Sequence, residues 1–212
     1  MKKFVVLSSV LILGIIVLLS TNVLSQRKSS KADAFHESLR QETAQDYKKA
    51  LMALEGIYKE NKDDYLLNLR LGWLNYLAKK HEESKNYYNQ AFVLSKNQSV
   101  EALLGRTYPL SALDDWDGVA AMYVAVLKID PLNYTANLRL GQIFLNKSAY
   151  VDAKTYLEKA YAHYPGSYDP NLSLGWTYYY LGDRQKATAL LTAALMLSPG
   201  DTLATKGLNL VR

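Results

Sequence analysis

The side chains that most often carry out chemistry are thinly spread along this sequence. The three histidines, His36, His81 and His163, stand far apart, and no two have metal-ligand spacing. There is no cysteine, which excludes disulfides, thiolate metal sites, a cysteine nucleophile and lipid attachment at a cysteine. Asp114-Asp115-Trp116-Asp117-Gly118 begins like a calcium loop, but the third acidic ligand and the closing glutamate are missing. It reads better as an acidic turn capping the helix that follows. Glu82-Glu83 is an ordinary first-turn pair. No phosphate-cradling glycine loop and no nucleophile elbow occurs. The expectation is a protein that is not an enzyme, with no cofactor, no metal site and no small-molecule substrate. Tyrosine is plentiful instead, 17 against four phenylalanines and three tryptophans. Such side chains suit surfaces that are half apolar and half hydrogen-bonding, as at repeat seams and binding grooves.

The formal charge of +5 resembles a nucleic-acid signal until it is located. Five basic residues (Lys2, Lys3, Arg27, Lys28, Lys31) and no acidic ones precede Asp33, leaving 20 basic against 20 acidic residues over 33–212. The electrostatic footprint of a nucleic-acid binder is therefore missing from the part that must fold.

Those charges flank an apolar run, Phe4–Leu19, broken only by Ser8, Ser9 and Gly14. Residues 1–25 read as a secretory signal peptide with Val23-Leu24-Ser25 as a usable cleavage sequence, or as an uncleaved anchor. From Phe4 to Leu24 a helix would extend about 31 Å, enough to cross a bilayer. The basic residues on its two sides nearly balance, so orientation is weakly encoded. The expected location is the cell envelope, either periplasmic or secreted, or anchored in the inner membrane. Residues 26–33, QRKSSKAD, read as a polar tether.

Beyond the tether the sequence is self-similar. Asn68-Leu69-Arg70-Leu71-Gly72-Trp73, Asn137-Leu138-Arg139-Leu140-Gly141-Gln142 and Asn171-Leu172-Ser173-Leu174-Gly175-Trp176 read almost alike, with Ala102-Leu103-Leu104-Gly105-Arg106 as a weaker copy. The glycines follow one another at intervals of 33, 36 and 34 residues. Each copy leads into a second apolar stripe at helical spacing, and three of these stripes end at a proline: Pro131, Pro165 and Pro199.

The pattern resembles the tetratricopeptide repeat, a helix–turn–helix of about 34 residues. Leu140-Gly141, Phe144, Tyr150, Ala153, Leu157, Ala160 and Pro165 stand where that family places its large, small and turn residues. So do Leu174-Gly175, Tyr178, Gly182, Ala187, Leu191, Ala194 and Pro199. Small residues let paired helices approach and bulky ones fill the gaps beside them. The first copy departs at Ser84, in an alanine slot, and at Lys96, in place of the closing proline. The second departs most. Between Tyr108 and Trp116 it carries about two extra residues, and Pro109 should kink or end its first helix, leaving a long loop over Ser111–Gly118. The resemblance implies an all-α, right-handed α-solenoid: a helix or degenerate repeat over 34–64, four repeats over 65–200 and a capping helix over 201–212, preceded by the signal or anchor helix.

The resemblance also implies a concave groove lined by the first helix of each repeat, with the residue after each repeat glycine facing it. This points to Arg70, Trp73, Tyr76 and Leu77, then Arg106, then Arg139, Gln142 and Asn146, and finally Trp176, Tyr179 and Tyr180. Aromatics and arginine dominate binding energy at interfaces. Trp73 and Trp176 are equally readable as seam packing, and Tyr178 and Phe144 read as core. The lysine–asparagine carboxylate clamp of some relatives is absent, because Leu69, Trp73, Leu172 and Trp176 hold its positions. The expected partner is a protein or peptide, and not a nucleic acid, with the membrane engaged through the N-terminal segment if that is retained. A self-associating subunit of an envelope complex and a chaperone for secreted proteins are the alternatives.

Overall fold

The computed structural model describes residues 30–211, so the expected signal or anchor over 1–25 and the start of the tether lie outside the described residues. Among the described residues there are eleven α-helices and no strand, and no helix is long and apolar enough to cross a membrane. The chain divides into two compact parts, one reaching Glu60 and one beginning at Asn61.

The first part is a helix pair, α1 (Lys31–Thr43) and α2 (Tyr47–Tyr58). The tether is shorter than expected. Ser30 caps α1 by accepting from the Asp33 amide, and Asp33 reaches back to the cap in a capping box, so residues 31–33 are helical. Ala50, Leu51, Leu54 and Ile57 form the buried stripe of α2.

The second part holds α3 (Tyr65–Leu77), α4 (His81–Leu94), α5 (Val100–Ala112), α6 (Trp116–Ile129), α7 (Tyr134–Asn146), α8 (Tyr150–His163), α9 (Tyr168–Tyr180), α10 (Arg184–Leu197) and α11 (Thr202–Val211). In all five helix pairs, α1–α2 included, the second helix begins sixteen residues after the first. Each pair turns through three residues whose middle one has positive φ: Gln45, Lys79, Asp114, Ser148 and Gly182. The next amide closes back on the first helix, as in Asp115 N–H to Leu110 O at 3.0 Å and Asp183 N–H to Tyr178 O at 3.0 Å.

This regularity corrects the reading of the second repeat. Pro109 does not end α5, which continues to Ala112. The proline sits in the final turn, where its missing N–H costs one backbone bond, and its buried ring packs inward. The following turn is Leu113–Asp115, as short as the others, so no long loop spans Ser111–Gly118. The extra residue lies earlier, where α4 joins α5 through 95–99, five residues against four at 130–133, 164–167 and 198–201. No proline shapes that link, and Lys96 and Asn97 both take positive φ.

Gly105 is likewise not the second repeat glycine. Gly72, Gly141 and Gly175 are the eighth residues of their helices, and Thr107 holds that place in α5. A Cβ on Gly141 would stand 2.6 Å from Leu157 Cγ, and one on Gly175 2.9 Å from Leu191 Cγ. These are the close approaches of each first helix to its own second helix. Gly105 serves the other seam: its Cβ would meet Tyr88 of the preceding pair at 2.3 Å, as one on Gly207 would meet Leu191 at 2.6 Å. Tyr88, bulkier than Leu157 and Leu191 at the same place in α8 and α10, has a glycine on both sides, Gly72 and Gly105. Ser84, in the alanine slot, is buried and donates to the Gly72 carbonyl at 2.7 Å.

Two side-chain devices tie successive repeats together. Asn68, Asn137 and Asn171, each 0–1 % exposed, donate to carbonyls of the preceding turn, Asn171 to Pro165 O at 2.7 Å and Ser167 O at 2.8 Å. The tyrosine opening a first helix reaches the cap of the next: Tyr65 to Ser99 at 2.8 Å, and Tyr168 to Asp201 at 2.7 Å. α11 caps the stack by burying Ala204, Gly207 and Val211, while Thr205 and Asn209 face solvent.

Candidate functional site

The second repeat lacks both ties. Val100 stands where the others carry tyrosine, and Leu103 where they carry asparagine. The missing tyrosine tie falls between α5 and α7, where the first-helix face of this part is open. α3 packs against α5, α7 against α9 and α9 against α11, but α5 and α7 do not pack closely together. Side-chain size widens the gap. Ser111 and Ala112 occupy the places of Tyr76 and Leu77 in α3 and of Tyr179 and Tyr180 in α9. The result is a cleft of about 650 Å³ between α5 and α7, floored by Trp116, Val119 and Tyr123 of α6.

Tyr76, Tyr108 and Ser111 line one wall, and Arg139, Gln142, Ile143, Asn146 and Lys147 the other. The aromatic wall is a packed group. The Trp73 ring lies 5.6 Å from Tyr76 and 5.7 Å, edge-on, from Tyr108, and Tyr76 and Tyr108 are 5.4 Å apart. On the floor, burial pushes the Tyr123 hydroxyl pKa up, against the pull of a Thr107 hydrogen bond and the Arg139 charge. On the polar wall Arg139 donates to Gln142 Oε1 at 2.8 Å, and Gln142 donates in turn to Ser173 at 3.1 Å. Asp169 stands 4.0 Å from the guanidinium. Lys147 meets Asp117 at 2.5 Å, with the Asp117 side chain 89 % exposed.

Of the residues expected in the groove, Tyr76, Arg139, Gln142 and Asn146 come together in this cleft. Arg70 and Trp73 line a more open depression of similar volume, about 650 Å³, between α3 and α5, with Leu69, Leu104 and Tyr108. Arg106 joins neither. It holds the place of the buried Leu71, Leu140 and Leu174, and its guanidinium donates to Asn89 of α4 at 3.1 Å. The groove position after the repeat glycine belongs to Tyr108, which is half exposed. Trp176, Tyr179 and Tyr180 form a separate cluster with Tyr150, which stacks on Tyr180 at 4.5 Å. Tyr178 is buried, and Phe144 packs against the core.

Thr107, Tyr108, Ser111, Trp116, Val119, Tyr123, Ile143 and Lys147 also line the cleft, beyond the residues expected from the sequence. Placing the repeats by helix starts instead of glycines would have recovered Tyr108, and would have shown Ser111 and Ala112 as small residues among large equivalents. The acidic turn behaves as expected: Asp115 caps α6 by accepting from the Gly118 amide at 2.8 Å. No group of three or more acidic or histidine residues suited to a metal ion occurs among the described residues.

Antiparallel helix pairs stacked with one register, leaving their first helices along an open lined face, define an α-solenoid of the interaction-scaffold type. The chain belongs to the tetratricopeptide repeat family, whose models match residues 110–168 and 147–208. Among solved structures it is similar to MamA, at 18% identity and a TM-score of 0.67, over 77% of this chain and 89% of that one. It is also similar to YrrB, described as a TPR protein with an unusual peptide-binding site, at 16% identity and a TM-score of 0.68, over 88% of this chain and 95% of that one. A tetratricopeptide repeat protein from Parabacteroides merdae has a TM-score of 0.72 at 16% identity, over 84% of this chain and 71% of that one. At these identities the likeness is one of fold. Comparison with the curated proteins gives no match.

Proposed function

We propose that this protein is a non-enzymatic binding module that captures a segment of a partner protein in the α5–α7 cleft, from a location outside the cytoplasm or at the membrane. The observation that carries the reading is the cleft itself, where small residues replace tyrosines and leave an aromatic-walled space of about 650 Å³. Pockets of this volume and apolar character bind ligand groups of side-chain size and larger. The similarity in fold to YrrB, a protein named for its peptide-binding site, supports the same use. The charge-flanked apolar leader at 1–25 supports export or tethering.

Filling the cleft tests this. Ser111→Tyr places at this helix position the residue that Tyr76 and Tyr179 already carry, so α5 should tolerate it. Crosslinking and co-purification from native membranes should recover a partner with the unsubstituted chain and lose it with Ser111→Tyr, while helical circular dichroism and melting hold. Undiminished capture by the substituted chain would refute the site. Mass spectrometry of the mature N-terminus tests the leader, since a chain starting at Gln26 has lost it.

A further inference from the structure

The charge lining the cleft is one-sided. Two side chains in it are ionised, Arg139 and Lys147, and both are cations; no acidic residue lines it. Residues 33–212 as a whole are balanced at 20 basic and 20 acidic residues, so the asymmetry belongs to this site. Arg139 is held in place by Gln142, itself held by Ser173, and it presents further N–H donors beyond the one it gives away. Its nearest carboxylate, Asp169, lies 4.0 Å away at a half-exposed pairing. The Lys147–Asp117 pair is open to water, and exposed pairs of that kind contribute little, so an incoming carboxylate can take over the lysine at small cost.

We infer that the partner segment is acidic, with a bulky apolar side chain between two carboxylates. The inference rests on the reading of the cleft as a docking site, and it names what docks there. Both cations project from α7 and its C-terminal cap, eight residues apart, which the helical rise of 1.5 Å per residue converts to about 12 Å. An extended chain lying along α7 covers that distance in about four residues. The side chain midway faces the floor made by Val119, Tyr123 and Trp116, where an aromatic or large aliphatic group fits. A peptide is favoured over single-stranded nucleic acid because the two cations are isolated on a neutral fold, whereas a phosphate backbone is followed by a continuous basic track.

Fluorescence anisotropy with the purified full chain and three labelled, end-blocked nonapeptides tests the inference. One peptide carries two glutamates four positions apart with phenylalanine midway, one has lysines in place of the glutamates, and one keeps the glutamates with alanine midway. The first should bind about fivefold or more tighter than each of the others, as two half-exposed charge pairs or one buried aromatic would give. Arg139→Gln combined with Lys147→Gln should abolish the advantage over the lysine peptide and leave that over the alanine peptide. Equal binding of the glutamate and lysine peptides, both lost in Ser111→Tyr, would keep the docking reading and overturn the acidic partner. So would displacement of the first peptide by oligothymidylate at equal concentration. Failure of all three peptides to bind would overturn the inference while leaving the co-purification experiment to decide the cleft.

Discussion

Replacing Asn171 by alanine should unlink the third repeat from the fourth. The Asn171 amide is 1 % exposed and donates to Pro165 O at 2.7 Å and Ser167 O at 2.8 Å, closing the turn between α8 and α9. Each such bond contributes about 1 kcal/mol net, and the carbonyls they reach, on exposed Pro165 and half-buried Ser167, can turn to water when the amide is gone. The total is about 2 kcal/mol, a sizeable share of the margin of an ordinary domain. Because repeats are stabilised by neighbours, the loss should appear locally. In native-state hydrogen exchange, amides of 164–171 and of α9 and α10 should lose protection well before those of α5. Asn171→Leu separates the cause from cavity formation, since leucine restores the volume and lacks the donors; it should cost nearly as much as alanine. Leu103→Asn in α5 should gain nothing, because the 95–99 turn follows another path, with Ser95 Oγ accepting from the Gln98 and Ser99 amides. Near-native stability of Asn171→Leu, or protection lost evenly along the chain, would refute the turn-closing role.

Alkali should weaken the stack through its tyrosines. Burial first, then the Asp201 hydrogen bond, pushes Tyr168 up to about 12, and burial likewise raises Tyr65, Tyr123 and Tyr134. A raised folded-state pKa gives stability that is complete below pH about 10, where the unfolded phenol is neutral, and is lost as pH climbs through the folded value. Melting temperature should therefore fall between pH 10 and 12, and Tyr168→Phe should flatten the fall while lowering stability near neutrality by about 1 kcal/mol; an unchanged slope would count against the tie to Asp201. Gly141→Ala and Gly56→Ala should act oppositely in thermal melts. The first drives a Cβ to 2.6 Å from Leu157 Cγ and 3.2 Å from its backbone nitrogen and should cost about 2 kcal/mol or more, whereas the second meets nothing within 4 Å and should gain about 0.5–1 kcal/mol from helix propensity.

Much of the fold was legible because spacing carries it. Asn137 through Gly141 and Asn171 through Gly175 repeat at 34 residues, and Pro131, Pro165 and Pro199 mark the turns between pairs. The second repeat misled because glycine answers two different steric demands. Gly105 faces Tyr88 of the preceding pair, while the repeat position is held by Thr107, so matching glycine to glycine shifted the copy by two residues and created an apparent insertion. The same shift placed Arg106 in the groove and hid Tyr108. The cleft was less legible for a separate reason. A search for large interface side chains finds Trp73 and Trp176, but the space over Ser111 is made by side chains that are small, against equivalents that are large.

The departures of the second repeat fall on both sides of α5, and those that open space lie between α5 and α7. Val100 cannot reach the next cap as Tyr65 and Tyr168 do, and Leu103 cannot close its turn as Asn68 and Asn171 do. Ser111 and Ala112 withdraw volume from the face between α5 and α7, and α6 fills the floor with Trp116 and Tyr123 without closing the space above them. Each junction of the second repeat keeps one tie and lacks the other: Tyr65 to Ser99 remains before α5, and Asn137 to Pro131 remains before α7. On the proposed function, a docking segment would meet preformed walls, and its binding would restore stability that the junction lacks.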